Sequence, residues 1–126
     1  MANPNIVNVT SITGITTYIS IDNTNTMNVF LSNANSSGKV LKINTIMAVS
    51  DDPAGSNVDV TIKLFNEAAG AGTSFSLATN ITIPGKSSVV ILGKDNPIYL
   101  TESKSLAASA SASNDADIIC SYEEIS

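Results

Sequence analysis

Residues 87–106 read SSVVILGKDNPIYLTESKSL. One apolar run, Val89-Val90-Ile91-Leu92, is cut off by the polar turn Gly93-Lys94-Asp95-Asn96. Pro97 then withholds a backbone donor where the second run, Ile98-Tyr99-Leu100, begins. A second turn, residues 101–105, leads to a third run opening at Leu106. Breaks this frequent leave room for strands of about 4–8 residues and none for a helix.

The same punctuation recurs along the chain. Short β candidates fall at residues 6–10, 15–21, 27–31, 39–49, 58–64, 75–83 and 118–122, with turn chemistry between them. In the third, Met27, Val29 and Leu31 alternate with Asn28 and Phe30. In the fourth, Leu41, Ile43, Met47 and Val49 share a face. Val58, Val60, Ile62 and Leu64 alternate with Asp59, Thr61 and Lys63, and Phe75, Leu77, Ile81 and Ile83 form another stripe. Residues 106–113 alternate Ala and Ser, and with β-like neighbours they read as a strand whose small side chains suit a flat edge. The expectation is an all-β fold: a single antiparallel β-sandwich, jelly-roll or Ig-like, of eight to ten short strands over residues 1–126, with residues 1–10 as an extended arm. At 126 residues the chain is long enough to bury a core without a staple.

Charge and composition narrow the function classes. Six Lys, no Arg and eleven acidic residues give a net charge of −5, which argues against nucleic-acid binding. No stretch approaches the length of a membrane span. Met1-Ala2-Asn3-Pro4-Asn5 carries neither a basic region nor an apolar run, as expected of a chain made in a cytoplasm without a secretory signal. The lone Cys120 alternates with Ile118 and Tyr122 and reads as a small buried hydrophobe.

Chemistry is sparse. Without His, neither His-based triads nor His-type zinc sites are available. The carboxylates Asp51, Asp52, Asp59, Asp115, Asp117, Glu123 and Glu124 all fall in turns or on polar strand faces, where water keeps them ionised; a carboxylate-pair hydrolase is not expected. Asp51, Asp52 and Asp59 are the one set to weigh for Ca²⁺, but their spacing matches no EF-hand loop. Tyr18, Tyr99 and Tyr122 would form a sugar platform only if the fold gathered them. The expectation is no enzyme, no cofactor and no metal.

The run Val89-Val90-Ile91, then Asn96-Pro97-Ile98-Tyr99-Leu100-Thr101-Glu102, then Ser105-Leu106-Ala107, and the closing Ser121-Tyr122-Glu123 resemble small virion structural proteins of tailed phages, marine and cyanobacterial phages among them. Asn5-Ile6-Val7-Asn8-Val9 and Ser37-Gly38-Lys39-Val40-Leu41-Lys42-Ile43-Asn44 fit the same likeness. The resemblance implies a capsid decoration (cement) protein on the virion exterior, bound to the major capsid protein and forming a homo-oligomer, a trimer first. A head-fibre or tail accessory protein is the alternative within that class, and a carbohydrate-binding sandwich the alternative outside it. It carries over no active-site residues. Interface residues are expected in the arm, at Asn3, Ile6, Val7 and Val9, and on the Ala/Ser strand, at Leu106, Ala108 and Ala110, each adding to a neighbour's sheet.

Overall fold

The computed structural model describes residues 4–5, 7–22 and 26–126. Nine strands follow in order: β1 (Ile12–Ser20), β2 (Asn28–Asn33), β3 (Val40–Ser50), β4 (Val58–Phe65), β5 (Ser74–Ile83), β6 (Ser88–Leu92), β7 (Ile98–Leu100), β8 (Lys104–Ala110) and β9 (Ala116–Ile125). A 3-10 turn, Ala68–Gly70, lies between β4 and β5. The expected strand at residues 6–10 is not formed. Its described part is a turn, in which Asn8 N–H donates to the Asn5 carbonyl at 3.1 Å and Val7 N–H to Asn5 Oδ1 at 2.9 Å.

The strands form two antiparallel sheets, ordered β1-β9-β3-β6, with β7 also on β3, and β2-β8-β4-β5. The chain crosses between sheets at almost every connection; β4 and β5 are the neighbours that pair within one sheet. Strands β6 and β7 are both antiparallel to β3 and lie end to end along it, Ser88–Leu92 beside residues 46–49 and Ile98–Leu100 beside residues 41–43. The turn at residues 93–97 therefore does not reverse the chain; it is a jog within one edge strand. With β6 and β7 counted together, this is the eight-strand, double-Greek-key sandwich called a jelly roll. An Ig-like arrangement divides its strands differently.

Both inner faces supply the core. Fully buried side chains include Ile43, Ile46, Leu100 and Ile118 from the first sheet and Val58, Val60, Ile62 and Leu106 from the second. Cys120 and Tyr122 are buried beside Ile118 on β9, as their alternation predicts.

Three facial assignments change because bulges insert a residue and invert every side chain beyond. On β3 the ladder passes from Ile43↔Tyr122 to Thr45↔Ser121, leaving Asn44 extra. Ile46, Ala48 and Ser50 thus turn inward. Met47 and Val49, expected beside Leu41 and Ile43, pair with Ile119 and Asp117 on the outer face. On β2 the extra residue is Phe30, so Phe30 and Leu31 are both buried while Val29 stays exposed. On β5 the shifts leave Leu77 unmatched and Asn80 in a left-handed conformation at φ 48°. Ala78 there joins Ile83 in the core, while Phe75, Leu77 and Ile81 remain exposed at the rim.

Candidate functional site

The Ala/Ser strand is not an edge. β8 lies between β2 and β4, paired along both sides. Leu106, Ala108 and Ala110 are buried in the core, and a strand bonded on both sides has no free N–H or C=O row to offer a neighbour. Ala107, on the other face of the strand opposite Lys63, is fully buried too. In the arm, Asn3 and Ile6 lie outside the described residues. Val7 is almost fully exposed, and Val9 is half-buried just before Thr10 and Ser11, whose N–H groups both donate to the Ser126 carbonyl.

The carboxylates are spent separately. Asp52 holds the turn at residues 52–56, its two oxygens accepting the N–H groups of Ala54 at 3.0 Å and Ser56 at 2.9 Å, and these bonds keep its carboxyl below the usual range. Asp59 sits on the outer face of β4 and accepts from the Thr82 hydroxyl at 2.6 Å. The set weighed for Ca²⁺ is therefore not gathered. Asp51 is raised above the usual range, first by lost hydration and then by the neighbouring Asp117. Glu124 pairs with Lys39 at 2.8 Å and Glu123 with Lys42 at 3.9 Å. No group of three or more metal-ligating side chains converges among the described residues.

The three tyrosines do not converge. Tyr122 faces the core. Tyr18 is on β1 at one edge of the first sheet, and Tyr99 on β7 at the other, opposite Lys42. Three strand intervals separate them, roughly 14 Å before any offset along the strands.

What the fold does assemble is a shallow groove on the outer face of the second sheet, with a volume of about 580 Å³. Its floor comes from the polar faces of three strands: Asp59, Thr61 and Lys63 of β4, Asn80 of β5, and Ser109 with Ser111 at the end of β8. Thr61 Oγ1 bridges to Asn80, donating to its Oδ1 at 3.2 Å and accepting its N–H at 3.0 Å. Ser111 Oγ accepts the Asp59 N–H at 2.9 Å. Hydroxyls, an amide, one carboxylate and one ammonium suit a hydroxyl-rich ligand; none is a nucleophile with an adjacent base. The alternation of Asp59, Thr61 and Lys63 was readable as a polar face, but its neighbours on β5 and β8 depend on sheet order.

No protein-family model, no curated protein and no solved structure matches this chain.

Proposed function

We propose that this protein is a phage virion component, a capsid decoration protein that binds the major capsid protein and reinforces the shell. The supporting observation is the jelly roll itself. It is a two-sheet module whose nine strands are antiparallel, with the ion pair Lys39–Glu124 on its surface. Jelly rolls are common in viral shells, and the resemblance along residues 87–109 points the same way. Such a module acts by repetition, since many weak contacts on a symmetric lattice combine into avid binding. A head-fibre or tail accessory role is the same proposal at another location.

Purified protein should co-sediment with capsids lacking it and saturate at a fixed ratio to capsid subunits. Particles deprived of it should lose DNA more readily on heating. Unchanged particle stability together with no co-sedimentation would sink the proposal, while binding confined to isolated tails would move it to the tail.

The groove on the second sheet favours one further reading, a carbohydrate-binding module for host adsorption. Binding on a glycan array that Thr61→Ala together with Lys63→Ala abolishes would support it; an array without hits would remove it.

A further inference from the structure

A flat, uncharged sheet edge recruits another strand, and proteins blunt their edges with bulges, charges or proline. Among the described residues the edges here are β1 and the β6–β7 line in the first sheet, and β2 and β5 in the second. Three of them are blunted. β2 has the bulge at Phe30 and β5 has those at Leu77 and Asn80. The β6–β7 line is broken by the jog that carries Lys94, Asp95 and Pro97.

β1 has none of these devices. Its nine residues, ITGITTYIS, pair one to one with β9 with no register shift and contain no charge and no proline. The direction of its free hydrogen-bonding groups follows from the ladder. Ser11 and Ser126 exchange both bonds, at 3.0 and 2.9 Å, and Ile21 N–H donates to the Ala116 carbonyl at 2.9 Å. Bonded pairs alternate in an antiparallel ladder, so the odd-numbered residues of β1 face β9. The N–H and C=O groups of Ile12, Gly14, Thr16, Tyr18 and Ser20 therefore point away from the sheet, unpaired among the described residues.

We propose that this edge pairs with β1 of a second copy of the chain, antiparallel across a two-fold axis at Thr16. Self-complementarity selects the occupant. Copies of a chain with net charge −5 repel through most of their surfaces, and an uncharged strand lets them approach. Alternation then restricts the register to steps of two residues, and centring on Thr16 matches the whole strand. Thr16 meets Thr16 of the other copy, Ile12 meets Ser20, and Gly14 meets Tyr18. The last pair fits. Nothing lies within 4 Å of where a Cβ would stand on Gly14, so the exposed Tyr18 ring of the other copy has room to lie across it, as aromatics do over glycines in sheets. The arrangement is two-fold, where the sequence resemblance implied a trimer. Two nine-residue edges make a small interface, of the kind weak and transient pairs use, so association should be concentration-dependent. The pairing does not depend on the capsid reading.

The test is sedimentation equilibrium of the full chain across the micromolar range. A monomer–dimer equilibrium of 13.0 kDa chains is expected. Thr16→Pro removes one outward donor, which an edge tolerates. Thr16→Lys sets two ammonium groups face to face. Each should raise the dimer Kd at least tenfold with circular dichroism unchanged, whereas Phe75→Lys, on the β5 edge, should leave it unmoved. Thr16→Cys supplies a test that needs no loss of function. The two α-carbons would stand about 5.5 Å apart, within disulfide range, so mild oxidation should link the dimer covalently while the buried Cys120 stays out. A monomer at every concentration, a trimer, or a dimer that ignores both Thr16→Pro and Thr16→Lys and does not cross-link would overturn the proposal. Capsid co-sedimentation by a strictly monomeric protein would overturn it while leaving the virion role intact.

Discussion

Asn33, at the end of β2, donates through Nδ2 to the carbonyls of Lys39 and Leu100, each at 2.9 Å. Leu100 belongs to β7, so this one amide ties the second sheet to the first, and its Oδ1 accepts the Ser37 hydroxyl at 2.6 Å to hold the intervening loop. The residue is buried, and its bond to the Leu100 carbonyl is buried with it. Asn33→Ala should cost about 2–4 kcal/mol, the desolvation of the groups left unpaired. Asn33→Asp should cost a similar amount at neutral pH, because a carboxylate cannot donate to either carbonyl. Urea unfolding with an unchanged m-value would measure both.

Leu106→Ala offers a direct reading of the interior position of β8. A fully buried leucine in a two-sheet core should cost about 2–5 kcal/mol on truncation to Ala. Measured below its lowered melting transition, the variant should keep the wild-type self-association constant, since its side chain meets no solvent. A variant that associates more weakly with no loss of stability would place β8 at a surface.

Asp51 gives a pH signature. Its carboxyl is raised by lost hydration and by Asp117, so the folded state holds this proton more tightly than the unfolded chain does. Stability from this group is therefore gained as pH falls through the raised value, and the ionised form is the unfavourable one at neutral pH. Asp51→Asn should raise the melting temperature at pH 7, and the difference should vanish once the pH drops below the ordinary value of 3.8. A gap that persists at pH 3 would assign the effect to something other than this charge.

Cys120 should be inert. Burial pushes its thiol up to about 12, and only the thiolate attacks electrophiles. Maleimide labelling of the native protein should be slower than that of a free thiol by orders of magnitude, and should become rapid and stoichiometric in denaturant.

Much of the architecture was legible in residue order. The alternation of Val58, Val60 and Ile62 against Asp59, Thr61 and Lys63, the turn residues at 51–56 and 93–96, and the absence of any helical stripe determined short antiparallel strands in a sandwich. Those patterns are local, set by the two-residue period of a strand and by which residues tolerate a turn. The burial of Cys120 followed from the same period. Tertiary structure decided the rest. Whether Met47 or Ile46 faces the core depends on one extra residue, Asn44, and a bulge leaves no mark in apolar periodicity because both alternations there are apolar. Whether the Ala/Ser strand is an edge or an interior strand depends on which strands flank it. Small side chains are compatible with either, and only the sheet order β2-β8-β4-β5 settles it. The groove at Thr61, Asn80 and Ser109 and the bare edge at β1 arise the same way: they are properties of neighbouring strands, and hydrogen bonds between residues far apart in the chain choose those neighbours.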